Sequence, residues 1–209
     1  MKLTIFGATG KVGHHLTTQA LEQGHTVTAF ARNPDAISLS HENLHIIQGN
    51  VMNADAVKQA VTGQDAIICA LGMPLMNKAG LRAKGTKNIV HAMSDAGIKR
   101  LVCLSVFGAN DSRDLLTFKY KALIVPLILR RVIADHEIQE NSVTNSTLDW
   151  TLVRPGNFTK GGYTGTYRHG FTTADKPSQI KISQPDLADF MLKQLTSDTY
   201  LRKAPCISY

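Results

Sequence analysis

Cysteine is scarce in this sequence, and the few cysteines show no pairing pattern. The three, Cys69, Cys103 and Cys206, are an odd number, and no two have the C-x-x-C spacing of metal and redox motifs. Cys69 and Cys103 each lie in an apolar, strand-like run, where a thiol packs as a small hydrophobic side chain. We therefore predict reduced, buried thiols without a catalytic or redox role, and no metal site.

Long hydrophobic runs and an N-terminal leader pattern are also missing. The longest apolar run covers residues 122–129, contains Pro126 and is far shorter than the roughly 20 residues of a membrane-spanning helix. A strand pattern begins at residue 2 or 3, so no charged and apolar leader segment precedes it. These absences predict a cytoplasmic protein with no membrane partner.

A concentrated nucleic-acid-binding surface is absent, although the chain is basic. The net charge is +7 and the isoelectric point is about 9.4, but the basic residues are scattered and lack interleaved aromatic residues. Lys119, Lys121, Arg130 and Arg131 come nearest to a patch, and they flank an apolar segment. We interpret them as a solvated rim or as a region that steers anionic ligands, and we predict no nucleic-acid partner.

The most informative feature that is present is a glycine-rich turn near the N-terminus. An apolar strand pattern at residues 3–6 leads into Gly7, Gly10 and Gly13, and a helix pattern follows. Gly7 fits the tight turn, Gly10 allows a pyrophosphate to approach the backbone, and Gly13 allows the helix to pack against the strand. This arrangement predicts a dinucleotide site, with the phosphates at a helix N-terminus.

Apolar runs alternate with amphipathic stretches along the chain, as in repeated βαβ units. They predict an α/β fold: a Rossmann-type, doubly wound parallel sheet with strand order 3-2-1-4-5-6 and helices on both faces. No linker or composition shift divides residues 1–209, so we predict a single domain. The predicted strands are residues 3–6, 26–31, 45–48, 66–70, 100–105 and 149–154. The predicted helices are residues 12–23, 54–61 and 79–96, and one that begins with a capping box at Ser183 and runs to about Thr196.

The end of the second strand indicates which dinucleotide binds. An NAD site usually has an acidic residue there for the ribose 2′-hydroxyl, whereas an NADP site has a cation for the 2′-phosphate. Arg32 occupies this position, and Asp35 follows only after Pro34 has turned the chain. Because a guanidinium can form paired hydrogen bonds with phosphate oxygens, Arg32 favours NADP(H) as cofactor. A plain surface arginine is the alternative interpretation.

Several segments along the chain carry a family pattern: Gly7-Ala8-Thr9-Gly10-Lys11-Val12-Gly13, Arg32, Gly49-Asn50-Val51, Leu71-Gly72, residues 148–156 and residues 182–188. Together they resemble the atypical short-chain dehydrogenase/reductase group with NmrA-like NAD(P)H-binding folds. Within this group the chain is most similar to the flavin reductase/biliverdin-IXβ reductase branch. The resemblance covers nearly the whole chain in order, except for residues 111–133.

The resemblance implies a role for each matching position. The residues implied to contact the cofactor are Thr9, Gly10, Lys11 and Val12 at the pyrophosphate, Arg32 at the 2′-phosphate, Asn50 and Val51 at the adenine, and Leu71, Gly72 and Met73 at the nicotinamide ribose. Ser105 matches the serine that faces the nicotinamide and the substrate, and it is the predicted catalytic residue. Relatives often carry Asp where this chain has Asn50, whose amide can still accept and donate hydrogen bonds.

A proton-donating motif of the wider group is absent. Short-chain dehydrogenases that act on alcohols and ketones use Tyr-x-x-x-Lys, in which the lysine lowers the tyrosine pKa. Here Tyr120 is followed four residues later by Ile124, and Tyr163 by Tyr167. Asn157 stands where the reductase branch can carry a histidine. His136 is the nearest alternative proton donor, but we expect it to face solvent on a helix.

These observations predict an NADPH-dependent reductase that transfers hydride to a flavin-like or linear tetrapyrrole acceptor. An electron-poor ring requires alignment over the nicotinamide more than a protein acid, because solvent can supply the proton. Ser105 would orient the ring or the carboxamide. Phe107, Asn157 and Phe158 would line an acceptor pocket formed by the loops after strands four to six.

Two other functions fit the same residues. One is a non-catalytic, NmrA-like NADP(H) redox sensor that regulates a protein partner, and the other is reduction of quinones or other electrophilic small molecules. The apolar residues 115–133 could form a lid over the acceptor, a partner interface or ordinary core. The sequence leaves the oligomeric state open.

Overall fold

The computed structural model describes residues 1–72, 80–172 and 180–209. Short strands alternate with helices over most of the chain. The strands, in chain order, are β1 (Lys2–Phe6), β2 (Thr26–Ala31), β3 (Leu44–Gln48), β4 (Ala66–Cys69), β5 (Arg100–Leu104), β6 (Asp149–Pro155), β7 (Asn157–Thr159), β8 (Arg168–His169), β9 (Lys181–Ser183) and β10 (Cys206–Ser208). The α-helices are α1 (Lys11–Glu22), α2 (Ala54–Val61), α3 (Leu81–Asp95), α4 (Arg130–Thr144) and α5 (Gln184–Lys193).

Eight of these strands form one sheet in the order β3-β2-β1-β4-β5-β6-β10-β8. All neighbouring pairs are parallel except β10 with β8. The predicted order 3-2-1-4-5-6 is therefore confirmed, and two short strands extend the sheet beyond β6. Strand β7, which follows β6 closely in sequence, forms a separate parallel pair with β9. The fold is the predicted Rossmann-like α/β type.

Helices cover both faces of the sheet, and each face has its own apolar core. One core includes Leu16 of α1 and Phe190 of α5, and the other includes Ile89 of α3 and Val143 of α4. The central strands contribute buried side chains to both cores, which explains why β1, β4 and β5 have continuous apolar sequences rather than alternating ones.

Local capping determines where several helices begin and end. The Asn53 side chain accepts hydrogen bonds from the backbone of Asp55 and Ala56 at the start of α2, over distances of 2.9 and 3.2 Å. The predicted N-cap at Ser183 is confirmed, since its hydroxyl accepts from the Asp186 backbone. The reciprocal bond of a capping box is replaced, because the Ser183 amide donates to the Tyr209 hydroxyl. Helix α5 ends at Lys193, a turn before the predicted end. Residue 79, the predicted start of α3, lies outside the described residues.

Residues 115–133 form an additional layer at the carboxyl edge of the sheet. A 3-10 turn (Asn110–Leu115) leads into a π-helix (Tyr120–Leu129) that continues into α4. Leu116, Val125 and Ile133 are buried in a small cluster separate from the two main cores. The segment is therefore partly buried, whereas Leu123, Leu127 and Ile128 are exposed. The lid and the partner interface stay predictions.

The described residues test two expectations from the sequence, the lack of a membrane-spanning helix and the state of the cysteines. No helix among them has both the length and the hydrophobicity needed to cross a bilayer. Cys69, Cys103 and Cys206 are all free and buried, which confirms that part of the prediction for the thiols. A cytoplasmic location stays a prediction.

Candidate functional site

The glycine turn connects β1 to α1 and brings three chain segments into close contact. Gly7 has a φ of +88°, and a Cβ there would overlap the carbonyl oxygen of Ala70 at the end of β4. A Cβ on Gly13 would overlap the carbonyl oxygen of Gly7. Gly10 caps α1 with no side-chain hydrogen bond, and its own amide donates to the Gly7 carbonyl over 2.9 Å. The turn thus leaves the first amides of α1 available to an anion.

A cleft of about 200 Å³ opens from this turn along the carboxyl ends of β1, β2 and β4. Most of the predicted cofactor residues line it. Its lining residues are Gly7, Thr9, Gly10, Phe30, Ala31, Arg32, Gly49, Val51, Leu71, Gly72 and Leu81. The fold therefore brings together glycines, a hydroxyl, a guanidinium and apolar side chains that are separated by up to 74 positions in the sequence, from Gly7 to Leu81.

The remaining predicted cofactor residues lie around the cleft or away from it. Lys11 lines an adjoining depression together with Thr9 and Gly10. Val12 and Gly13 are buried in the first turn of α1, where they pack rather than face the cleft. Asn50 is exposed, and its side-chain carbonyl accepts a hydrogen bond from the Met52 backbone over 3.0 Å. Met73 lies outside the described residues.

Arg32 lies exposed at the rim of the cleft, directly after β2. Within residues 1–72, 80–172 and 180–209, no carboxylate forms an ion pair with its guanidinium. Its backbone carbonyl accepts from the Gln48 side chain at 3.5 Å, which links the ends of β2 and β3. The guanidinium is thus free of a carboxylate partner in the described part of the chain and lies where a 2′-phosphate would be expected.

A second, smaller cavity of about 80 Å³ lies beyond the carboxyl ends of β5 and β6. The π-helix and the start of α4 cover it. Its lining residues are Val106, Phe107, Leu116, Tyr120, Val125, Leu129, Ile133, Pro155, Gly156, Asn157 and Ile180. The predicted Phe107 and Asn157 are among them, whereas Phe158 is half exposed and is not. Among the described residues, none that lines this cavity is charged.

Ser105 follows β5 and is held in a buried polar network. Its hydroxyl donates to Glu140 Oε1 over 2.6 Å, and its backbone amide donates to the Val153 carbonyl. Arg154 binds the same carboxylate with two parallel hydrogen bonds of 2.8 and 2.7 Å. Asn110 donates to Glu140 Oε2 over 2.6 Å. The serine proton is thus directed to Glu140. Ser105 is only 4% exposed and is not among the residues that line the cleft or the smaller cavity.

The charges of this network compensate each other inside the protein. Glu140 and Arg154 are only 1% and 3% exposed. Burial alone would raise the pKa of Glu140, but the hydrogen bonds and charge of Arg154 outweigh burial and hold that pKa below its ordinary value. Burial lowers the pKa of Arg154, whereas Glu140 and Asp111 raise it above its ordinary value. Both groups therefore stay ionised at neutral pH.

The prediction that His136 faces solvent is wrong. The side chain lies between α3 and α4 and is only 5% exposed, with Nδ1 placed 2.9 Å from Gln139 Oε1. Gln139 in turn donates to Thr86 over 3.0 Å. Burial, followed by the charge of Arg82, lowers the pKa of His136 to about 4. The helical periodicity concealed this position because α4 packs against α3 as well as against the sheet.

Lowering the pH from 7 to 5 should destabilise the protein through His136. The unfolded imidazole titrates near its ordinary pKa of 6.5 and the folded one has a pKa of about 4, so the unfolded chain binds more protons between these values. Stability falls as the pH falls through this window, by on the order of 2 kcal/mol at pH 5. Urea unfolding at both pH values measures the loss. His136→Gln should remove the contribution of His136 to this pH-dependent loss of stability. His91→Gln, at an exposed position, should not. If both variants lost the same stability between pH 7 and pH 5, the assignment to His136 would be contradicted.

A doubly wound sheet with a glycine-turn cleft at its carboxyl edge defines a Rossmann-type dinucleotide-binding protein. The chain belongs to the NAD(P)H-binding family, whose family model matches residues 7–198. It is 24% identical over 214 residues to the photosystem II assembly factor Ycf39 of Synechocystis sp. PCC 6803. The matched region covers 97% of this chain and 61% of that protein. The chain thus spans less than two thirds of that relative's length.

Solved structures share the fold over the whole chain. The oxidoreductase ylbE of Lactococcus lactis has a TM-score of 0.84 and 22% identity, covering 100% of this chain and 90% of its own. ChuY, an anaerobillin reductase from Escherichia coli O157:H7, has a TM-score of 0.81 and 21% identity, with coverages of 100% and 97%. A short-chain dehydrogenase/reductase of Veillonella parvula in complex with NADP has a TM-score of 0.80 and 19% identity, with coverages of 100% and 94%. These likenesses show the fold.

Sequence reasoning missed several residues of the two sites. Phe30 lines the nucleotide cleft although it reads as an ordinary strand residue, and Ile180 lines the smaller cavity from a distant segment. Glu140 and Arg154 were not predicted to interact. Arg154 was visible as a charge within an apolar strand pattern, Trp150 to Val153, and a buried charge requires a partner. That signal could have indicated an ion pair, though not which carboxylate supplies it.

Proposed function

We propose that the chain is an NADPH-dependent reductase, a single domain over residues 1–209, that transfers hydride to a flavin-like or linear tetrapyrrole acceptor. The observation that carries this proposal is the presence of two sites at one edge of the sheet. The cleft at the glycine turn suits a nucleotide, and the uncharged cavity after β5 and β6 suits part of a planar ring. The loops after strands four to six would form the acceptor pocket.

The cleft residues suit a nicotinamide dinucleotide. Gly10 has only the Gly7 carbonyl oxygen near the position of a Cβ, at 3.2 Å, and otherwise presents bare backbone to the cleft. A pyrophosphate there would accept hydrogen bonds from the first amides of α1. Arg32 would bind the 2′-phosphate, while Val51 and Leu71 supply apolar contacts. Bound NADPH would supply a hydride from its nicotinamide ring and leave as NADP⁺.

The acceptor cavity provides alignment rather than acid catalysis. Tyr120 and Asn157 are the polar side chains among its lining residues, and Tyr120 lacks the lysine four positions later that activates a catalytic tyrosine. The Ser105 oxygen, acting as a hydrogen-bond acceptor, would hold the carboxamide NH₂ or a ring N–H. The reduced acceptor would take its proton from solvent. Only acceptors that delocalise the added electron pair suit this arrangement, which excludes simple ketones.

An acceptor screen tests the proposal. Purified protein is mixed with NADPH and, in turn, FMN, riboflavin, biliverdin and a soluble quinone, and the nicotinamide absorbance is followed against a control without protein. Faster loss with a flavin or biliverdin supports the proposed acceptor class, and faster loss with the quinone alone reassigns the acceptor. Tight and equal binding of NADP⁺ and NADPH without turnover of any acceptor would overturn the proposal in favour of the redox sensor.

Arg32→Ala should weaken NADPH binding and leave NADH binding nearly unchanged. Hydrogen bonds to a charged group contribute about 1.5–3 kcal/mol, so the dissociation constant for NADPH should rise roughly 10- to 100-fold. Fluorescence titration with each nucleotide measures both constants. The exposed Arg113→Ala, which lies away from the cleft, is the matched control. An unchanged preference in Arg32→Ala would refute the role of this residue.

A further inference from the structure

The outer side of the π-helix is an exposed apolar surface. We define the outer face as Phe118, Leu123, Leu127 and Ile128, whose exposed fractions are 84%, 52%, 77% and 67%. A π-helix forms i→i+5 hydrogen bonds, which place residues four or five positions apart on one side. Leu123 is five positions after Phe118, and Leu127 and Ile128 are four and five positions after Leu123. The four residues therefore form one strip that starts just before the π-helix and follows it.

The outer face lies opposite the side of the helix that packs on the fold. Leu116, Val125 and Ile133 pack beneath the helix, and Tyr120 and Leu129 complete that contact. Four large apolar side chains directed away from this contact gain nothing from exposure to water, and contiguous apolar surface of this kind marks an interaction site.

Positive charge borders the outer face on both ends. Lys119 lies beside Phe118, while Arg130 and Arg131 follow directly after Leu129, and all three are exposed. In the part of the chain that the structure describes, no carboxylate forms an ion pair with any of these three. Lys121, whose side chain is partly exposed, lies 3.5 Å from the largely exposed Asp114. The border is thus basic, with one acidic neighbour.

We propose that the outer face binds an anionic lipid surface. Phe118, Leu123, Leu127 and Ile128 would enter the boundary between headgroups and acyl chains, while the flanking cations contact the lipid phosphates. This revises the sequence-based expectation of no membrane partner, which rested on the absence of a spanning helix. The net charge of +7 would also favour approach to such a surface.

The charges favour lipid over a second copy of the chain. A two-fold dimer through the outer face would place the same basic border of each protomer against that of the other. Like charges at close range oppose this pairing, whereas an anionic leaflet neutralises them. The apolar strip and its border therefore match a negatively charged surface with an apolar interior.

Vesicle co-sedimentation tests the proposal without cofactor or acceptor, so its result is independent of the reductase activity. The probes are vesicles of equal parts phosphatidylglycerol and phosphatidylcholine, and vesicles of phosphatidylcholine alone. The wild-type chain should bind the anionic vesicles and not the neutral ones. The double variant Arg130→Gln/Arg131→Gln should bind about thirtyfold more weakly, since each cation near an anionic leaflet contributes roughly a factor of five.

Two further variants distinguish binding through the outer face from non-specific hydrophobic adsorption to vesicles. Leu127→Ser/Ile128→Ser should lose binding, and Ile138→Ser, which removes an exposed apolar side chain elsewhere on α4, should retain it. Thermal melting confirms that each variant is folded. Absent or equal binding to the two vesicle types would overturn the proposal. So would a dimer in sedimentation velocity that Leu127→Ser/Ile128→Ser dissociates, because that result assigns the outer face to a second copy.

Discussion

Gly13→Ala should fold poorly, whereas Gly10→Ala should fold and lose affinity for NADPH. The first substitution places a methyl group on the Gly7 carbonyl oxygen, a backbone atom that cannot move without opening the turn. We expect it to cost about 3 kcal/mol or more. At Gly10 the nearest atom to the new methyl group is 3.2 Å away, so the fold needs to adjust by only a few tenths of an ångström.

Comparing the two variants distinguishes an effect on folding from an effect on NADPH binding. The Gly10 methyl group would occupy the space where the pyrophosphate approaches the backbone, and the lost hydrogen bonds should raise the NADPH dissociation constant roughly 10- to 100-fold. Thermal melting and nucleotide titration measure the two effects. Gly162→Ala, which has open space around its Cβ, should change neither. If Gly10→Ala bound NADPH with wild-type affinity, the pyrophosphate would not lie at the turn.

Glu140→Gln should destabilise the protein by about 3–5 kcal/mol and lower its melting temperature by roughly 10 °C. The substitution leaves the guanidinium of Arg154 buried, and among the described residues the exposed Asp111 is then the one carboxylate that compensates its charge. Urea unfolding at pH 7 measures the loss. Glu137→Gln is the matched control, because Glu137 lies one turn earlier on α4 and pairs with Arg113 at the surface. That variant should lose less than about 1 kcal/mol.

The effect of Glu140→Gln should depend on pH in a defined direction. The folded pKa of Glu140 lies below its ordinary value, so the carboxylate contributes stability above the unfolded pKa of about 4.5 and loses it as the pH falls through the folded pKa. The difference between wild type and variant should therefore shrink in acid. A constant difference from pH 7 down to pH 3 would show that Glu140 acts through packing alone.

The sheet could be predicted because its central strands are buried on both faces and connected by helices. Strand β2 and helix α2 have the predicted bounds, since a continuous apolar run and an Asn53 cap each define them locally. The short strands β7 to β10 contain two or three residues, too few for a periodic pattern, and their pairing partners lie far away in the chain. The pairing of these strands follows from tertiary contacts alone.

The cleft at the glycine turn was more predictable than the surroundings of the smaller cavity. Gly7, Gly10 and Arg32 follow strand ends, and parallel strands bring their carboxyl ends to one edge. Glu140 and His136 lie on an amphipathic helix, where a polar residue ordinarily indicates solvent. Their burial depends on how α4 packs against α3 and β6. The spacing of residues within α4 does not predict this packing.

A single-turnover experiment tests the central claim, that NADPH bound at the glycine turn delivers hydride to an acceptor held beside Ser105. Under anaerobic conditions, protein loaded with NADPH is mixed with an equal amount of the best flavin from the screen, and the nicotinamide and flavin absorbances are recorded together. We expect both absorbances to fall at one rate, faster than without protein, and Gly10→Ala to abolish the acceleration. NADPH bound tightly at the turn, with both absorbances changing no faster than in the control, would contradict it.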